Sequence, residues 1–575
     1  MDNYEKNAKR ITGSEALVRS LLAEDVEQVF GYPGGAIMPV FDALYDYKNQ
    51  IQHRLVRHEQ GAIHAAQGYA RVTGKVGITL VTSGPGATNL ITGLTDAMMD
   101  STPLVVISGQ VNSSLLGSDA FQEADVISVT QPVTKWVCQV RRAEDIAKAV
   151  SKAFYIASTG RPGPVMIDIT KDAQTSLCDY EYVKTTYLRS YQPKPDLQLE
   201  CIQQAADLIN SAQKPLALVG QGVVLGKAEQ ELTEFLEKAD IPFASTLLGL
   251  SALPSKHPLN CGMLGMHGNI PPNMKTNECD VLIAIGMRFD DRVTGDLASY
   301  AKQAKVIHFD IDSAEIEKNV VTTVPILGDV KETLPLVTAR LSTHTHTAWK
   351  KSFDVYRTKE FDCVIRDELF PTCDTTLKMG EVVHMVSEAT KHQAICVTDV
   401  GQNQMMSSRY FKFSSSRSLV TSGGLGTMGF GLPAGIGAKC GAPHRTVCVF
   451  VGDGGLQMTI QELGTIMEYN LDIKIILLNN NYLGMVRQWQ EMFFDRRYSE
   501  TYLKNPDFVR IAEAYGIRGK KVTKRKELYY TIEEMLSHRG PYLLEVVVEN
   551  QGMVYPMIPA GGSVTQIMIG NGQTL

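Results

Sequence analysis

The sequence predicts an α/β chain of three doubly wound parallel-sheet domains. Strand-length aliphatic runs alternate with helical periodicity, which is the pattern of βαβ units. The alternation lapses twice, in polar or Pro-containing stretches. The 575 residues are enough for several cores at roughly 100–200 residues per domain. These lapses place the domains at 1–187, 196–345 and 375–550, with a tail at 551–575.

In the first domain, Thr12-Gly13-Ser14-Glu15 reads as a capping box opening an apolar-periodic run over 16–26. A short strand at 28–31 ends in Tyr32-Pro33-Gly34-Gly35. A strand at 51–56 leads to a helical pattern over 60–71, and strands follow at 76–81, 104–108 and 165–168. The texture loosens at 189–195, the first linker. The second α/β unit begins near Pro215, with strands at 216–220, 281–285 and 306–311. Residues 342–375 are polar and lack sheet periodicity, which predicts a surface helix and the second linker. Strands at 394–400, 446–451, 473–479 and 543–548 make the third unit, and the tail is rich in Gly, Pro and Met.

Composition narrows the function. A net charge of −6 without a dense Lys/Arg tract argues against nucleic acid. The stretch from Lys520-Lys521 to Lys526 reads as a solvated surface segment. No aliphatic run approaches the roughly 18 residues of a membrane span. The ten cysteines form no C-x-x-C pair, which argues against a zinc site or disulfide framework and fits a reducing compartment. Residues 1–9 are polar, unlike a signal peptide. A cytoplasmic protein is expected.

The most specific pattern is Gly452-Asp453-Gly454-Gly455 followed by Asn479-Asn480-Asn481, with Asn480 27 positions after Asp453. Each half follows an aliphatic strand run. A strand-helix-strand unit brings both strand ends to the carboxyl edge of a parallel sheet, where α/β folds bind ligands. The glycines admit a phosphate close to the backbone, and a helix over about 459–469 would present its N-terminus nearby. One carboxylate, one amide oxygen and phosphate oxygens suit Mg²⁺. Either half alone would read as a turn or a loop.

Together they resemble the thiamin-diphosphate motif. The resemblance implies Mg²⁺ held by Asp453, the Asn480 side chain and the Tyr482 carbonyl, with Gly454, Gly455, Leu483, Gly484 and Met485 around the diphosphate. Position 455 often carries Ser in the family. Thiamin chemistry needs a carbanion at C2 of the thiazolium, and the cofactor's own aminopyrimidine takes that proton when a carboxyl group favours its imino form. Glu59, in Val56-Arg57-His58-Glu59-Gln60-Gly61-Ala62, matches the family's glutamate segment. A bland alternative makes it a first-turn carboxylate offsetting a helix dipole. The family implies that Glu59 of one subunit meets Asp453 of another, so that the active unit is at least a dimer.

Further blocks are similar to the acetohydroxyacid synthase catalytic subunits. They are Ser83-Gly84-Pro85-Gly86-Ala87-Thr88-Asn89, Asp119-Ala120-Phe121-Gln122-Glu123, and the runs at 262–268, 288–295, 422–429 and 483–490. The resemblance covers nearly the whole chain. It implies addition of pyruvate to the cofactor, loss of CO₂, and transfer of the two-carbon unit to pyruvate or 2-ketobutyrate. An Arg fork suits the acceptor's carboxylate, and Arg292 matches that position; the alternative is a surface network with Asp290 or Asp291. Trp489 and Met485 match residues shaping the acceptor pocket, with core packing as their alternative. Met428 matches the prop under the bent cofactor, and Phe121, Gln122 and Lys171 match the channel and catalytic centre.

FAD is implied by resemblance alone, in the middle domain. Its matching positions are Arg161, Gly220, Gly222, Thr246, Leu247, Leu264, Gly265, Met266, His267, Gly286, Arg288, Asp290, Arg292, Val293, Asp310, Ile311, Asp329, Val330, Gly423 and Gly424. One departure stands out. The family usually reads Gly-Gln-His-Gln where this chain has Gly401-Gln402-Asn403-Gln404, and Asn donates a hydrogen bond but carries no charge. The resemblance also implies a homodimer or homotetramer and a separate regulatory small subunit. The competing readings are another thiamin-dependent carboligase, a flavin-using pyruvate oxidase, and a non-catalytic paralogue. The presence of Glu59, Asp453 and Asn480 disfavours the last.

Overall fold

The computed structural model describes residues 10–372, 376–570 and 572–575. Residues 1–9, read as a polar start, and Thr375, the expected edge of the third domain, lie outside the described residues. The chain forms two compact units. The first takes residues through Pro193 together with Gly424–Pro443 and Thr459–Leu471, and the second takes the rest.

The first unit holds a six-stranded sheet in the order Gln52–Leu55, Gln28–Gly31, Gly77–Val81, Leu104–Gln110, Pro164–Thr170, Trp136–Val140. Every pairing in it is parallel. Helices cover both faces, so the central strands Leu104–Gln110 and Pro164–Thr170 are buried throughout and read as continuous apolar runs. The capping prediction at Thr12 holds: its hydroxyl accepts from the Glu15 amide at 3.2 Å at the start of helix Gly13–Ala23. Helix Glu59–Thr73 is rich in small residues and crosses helix Gly431–Gly441 at backbone contact. A Cβ at Gly68 would collide with the Ala434 carbonyl, and one at Gly437 with that of Ala65.

The second unit holds two more six-stranded parallel sheets, which gives the three-sheet α/β architecture expected. One runs Asn260–Met263, Phe243–Ser245, Pro215–Val219, Val281–Ile285, Lys305–Asp310, Val324–Leu327. The other runs Leu419–Val420, Ile395–Thr398, Val447–Gly452, Ile473–Asn479, Tyr542–Val547, Arg518–Val522. In this last sheet the chain leaves Ile395–Thr398 for one neighbour and returns on the other side as Val447–Gly452. Strand order reverses there, and the carboxyl ends of those two strands flank the crevice that such a switch creates.

Two local expectations gain detail and a third is corrected. The segment 342–375, over its described residues 342–372, holds helices Thr347–Lys351 and Asp354–Glu360, which run into a π-helix, Phe361–Ile365. Its anchors are few but deep, since the buried Trp349 indole donates to the Pro215 carbonyl at 2.8 Å. The basic stretch near Lys520 begins in an edge strand, Arg518–Val522, whose charges protect an unpaired edge. The helix after the Gly-Asp-Gly run starts at Asp453 itself rather than near Thr459. Among the described residues the nine cysteines are free, and no helix is long and apolar enough to cross a membrane.

Candidate active site

Strand Val447–Gly452 delivers Asp453 to the crevice, 1% exposed. Its Oδ2 accepts from the Asn505 amide at 2.6 Å. Burial pushes the carboxyl up to about 6; hydrogen bonds from Asn505 and backbone amides oppose that. The next strand, Ile473–Asn479, delivers the Asn run. Asn480 accepts from the Tyr482 amide at 3.0 Å through Oδ1 and donates to Gln402 Oε1 at 3.1 Å. Asn479 Oδ1 accepts from the same Asn505 amide at 3.0 Å. Asn505 therefore ties the two strand ends together.

The other wall of the crevice is Gly401-Gln402-Asn403. Gly401 has φ +126°, a conformation that needs glycine. Gln402 Nε2 donates to the Gly552 carbonyl at 2.9 Å and to Gln488 Oε1 at 3.2 Å. Asn403 is buried, and its Oδ1 has no hydrogen-bond partner among the described residues. A Cβ at Gly455 would collide with Asp399, and one at Gly484 with Gln402. Among the described residues no three His, Cys, Asp or Glu side chains cluster to hold a metal. A hard cation would have one carboxylate plus amide and carbonyl oxygens, with positions left for phosphate, which is the set Mg²⁺ accepts. The residues fit a diphosphate and its metal: a buried carboxylate with no cationic partner among the described residues, a buried Asn403 amide whose Nδ2 makes only a long hydrogen bond among them, 3.4 Å to the Val400 carbonyl, and a glycine-lined floor. Helix Gly484–Phe493 follows directly, with Leu483 as its cap, Met485 half-buried, and the Trp489 ring 5.3 Å from that of Phe493.

In the middle sheet, Gly220 and Gly222 lie against the Gly286 backbone so closely that a Cβ on either would force it away. Thr246 caps the turn that begins at Leu247, and Leu264 is buried just ahead of Gly265, which has φ +104°. The Met266 amide donates to the Arg292 carbonyl at 2.8 Å. His267 is buried with Nδ1 unpartnered among the described residues, and burial pushes it down to about 4. Asp290 caps the turn Asp291–Thr294, accepting from the amides of Arg292 and Val293. Arg288 lies 3.6 Å from Asp290, while the Arg292 guanidinium is 60% exposed, 3.6 Å from Asp291. Asp310 ends its strand ahead of Ile311 and accepts from the Asp312 amide, and Asp329 caps the helix starting at Val330. Gly423 sits against Leu248.

In the first unit, Glu59 opens its helix behind the cap His58, and Glu59 Oε2 accepts from the Asn89 amide at 2.9 Å. Gly84, at φ +57°, lies under Gln122, itself at φ +60°. Glu59, the 83–89 loop and Gln122 are thus brought together. Phe121 is 88% exposed. Lys171 is exposed on the first turn after strand Pro164–Thr170, Arg161 donates to Ser101 at 2.9 Å, the Gly424 amide donates to Asp100 at 2.7 Å, and Met428 is half-buried. Sequence reasoning missed Asn505 and Glu462. Asn505 has no motif around it, and Glu462 reads as an ordinary polar helix residue.

Sequence profiles described as thiamine pyrophosphate enzyme match in three parts. The N-terminal TPP binding domain matches residues 11–129, the central domain 202–337, and the C-terminal TPP binding domain 399–546. The chain is 43% identical to the acetolactate synthase large subunit of Haemophilus influenzae, over 98% of this chain and 99% of that protein. It is 43% identical to the isozyme 2 large subunit of Escherichia coli, over 97% and 99%. The probable acetolactate synthase large subunit of Methanocaldococcus jannaschii is also 43% identical, over 97% and 95%.

Proposed function

The chain belongs to the thiamine pyrophosphate enzymes, among the acetolactate synthase large subunits, and on that premise we propose the reaction and the part each residue plays. The protein decarboxylates pyruvate on thiamin diphosphate and transfers the two-carbon unit to a second pyruvate or to 2-ketobutyrate, a first step toward branched-chain amino acids. The observation that carries this reading is the buried crevice of Asp453, Asn480 and Gln402 at the switch point of the third sheet.

Bound there, thiamin diphosphate supplies a stabilised carbon nucleophile. Asp453, the Asn480 side chain and the Tyr482 carbonyl would hold Mg²⁺ at the diphosphate. Gly401, Gln402, Gly454, Gly455, Leu483, Gly484 and Met485 enclose it, and the Asn403 amide donates to it. Glu59, held by Asn89, would exchange a proton with the aminopyrimidine nitrogen of a cofactor bound to a partner subunit. Arg292, whose exposed guanidinium lies 3.6 Å from Asp291 and donates to Met266 Sδ at 3.5 Å, would take the acceptor's carboxylate. Met485 and Trp489 shape the acceptor pocket, Met428 supports the cofactor, and Phe121, Gln122 and Lys171 line the approach. The close backbone approach of Gly220 and Gly222 to Gly286 supports FAD in the middle domain. The name "large subunit" on its relatives supports a separate small subunit, with the large subunits in a homodimer or homotetramer.

The test is product analysis of the purified chain with pyruvate, with and without 2-ketobutyrate, in thiamin diphosphate, Mg²⁺ and FAD. Acetolactate or acetohydroxybutyrate without matching oxygen uptake is expected. Acetate or acetyl phosphate with oxygen or quinone reduction would mean a pyruvate oxidase and would overturn the role given to Arg292.

A further inference from the structure

Glu462 is fully buried, at the end of the turn Ile460–Glu462, against the segment that leads into Glu59. Its Oε1 and Oε2 accept from the Arg57 amide at 3.0 and 3.2 Å. Oε2 also accepts from the Thr465 hydroxyl at 2.8 Å. The Arg57 guanidinium turns away to Glu468 at 2.7 Å and to the Gly464 carbonyl at 3.2 Å. On the far side of Glu59, Gly61 lies so close that a Cβ there would collide with Glu462 Oε1. The carboxylate thus grips the turn on both sides of Glu59, two residues before it and two after. Burying a carboxylate is unfavourable unless it is well hydrogen-bonded, and burial pushes this one up to about 7. The reaction steps above leave it without a role.

We propose that Glu462 is a positioning residue for Glu59: it clamps the 57–61 turn so that the Glu59 carboxylate, held on its other side by Asn89, keeps its aim at the cofactor. The inference rests on the reading of Glu59 as the group that activates thiamin diphosphate. A carboxylate shifted by about 1 Å costs on the order of a hundredfold in rate even when binding is intact.

The test uses the full-length holoenzyme. Glu462→Asp, one methylene short of the Arg57 amide, should lower kcat and the deuterium exchange of the C2 proton of bound thiamin diphosphate by about a hundredfold. Its thiamin diphosphate Kd, pyruvate KM and melting temperature should stay near wild type. Glu462→Gln keeps an acceptor oxygen at full length and should restore most of both rates. Thr465→Val, a milder change that removes only the hydroxyl on Oε2, should give the same split in smaller measure. Wild-type exchange in Glu462→Asp and Thr465→Val, or a kcat loss matched by an equal loss of cofactor affinity or folded protein, overturns the proposal. Glu59→Gln separates the two readings. If it also exchanges at the wild-type rate, the reading of Glu59 fails and this inference falls with it. If it alone loses exchange, only the role of Glu462 fails.

Discussion

At the scale of the residue, Glu59 and Asp453 do separable work. Glu59 touches the fold lightly, through Asn89 at 2.9 Å. Glu59→Gln should therefore lower kcat by about 10²–10⁴ while the thiamin diphosphate Kd, read by fluorescence titration, changes little. Asp453 is the carboxylate assigned to the cation, so Asp453→Ala should abolish Mg²⁺-dependent cofactor binding in the same titration. Wild-type turnover in the first variant, or wild-type affinity in the second, would remove the assigned role. Asp453 drew attention through Gly-Asp-Gly and Asn-Asn at two strand ends, and Glu59 only through the resemblance of its Arg-His-Glu-Gln run to the family's glutamate segment. Asn505 was not legible. It reaches Asp453 from 52 residues away, and a lone Asn before a Pro reads as a turn. Glu462 was hidden for a similar reason, since its partner is a backbone amide 405 residues distant, and an amide leaves no mark on sequence.

At the scale of the element, the decisive helix is Glu59–Thr73. Its small residues suggested a buried helix, but not its partner, because contact through backbone depends on what lies opposite. Gly68→Ala or Gly437→Ala would push apart helices already in contact with each other's carbonyls. A loss of about 1–3 kcal/mol is expected from such overpacking, read as a lower denaturation midpoint, with kcat falling as Glu59 shifts. The same helix carries His64, fully buried with its ring centroid 5.2 Å from that of Phe430. Burial, and secondarily Arg71, push it down to about 3. Unfolded, it titrates near 6.5, so between pH 6.5 and about 3 the unfolded chain binds the proton that the folded chain refuses. His64's stabilising share is complete above pH 6.5 and is lost as pH falls through that window. Relative to His64→Leu, the wild type should lose up to about 1.4 kcal/mol per pH unit there; parallel pH profiles for the two proteins would contradict it. Elsewhere, strands with continuous aliphatic runs, such as Val281–Ile285 and Ile473–Asn479, were read to the residue, whereas Arg518–Val522 was not. An edge strand keeps charge to stay unpaired, and that charge masks its period.

At the scale of the molecule, the three alternating α/β stretches made the three sheets legible, because a parallel sheet must bury both faces and says so in its strands. How the chain groups into compact units was not legible: Gly424–Pro443 and Thr459–Leu471 join the first unit across long sequence gaps, and periodicity carries no such information. The composition of the metal cradle has a consequence for the whole fold. With no cluster of three acidic, His or Cys ligands among the described residues, neither Mg²⁺ nor the diphosphate is fully satisfied alone. Each should therefore raise the other's affinity by the same factor, since coupling between two bound ligands is reciprocal. A ligand at a hundred times its Kd stabilises the folded state by about 2.7 kcal/mol. Thiamin diphosphate and Mg²⁺ added together should thus raise Tm by a few degrees, while either alone at the same concentration should leave it nearly unmoved, and a chelator should return it to the apo value. Asp453→Ala should show no rise with both present. Equal, independent shifts from each ligand alone would mean that they bind at separate places, and the shared crevice would be wrong.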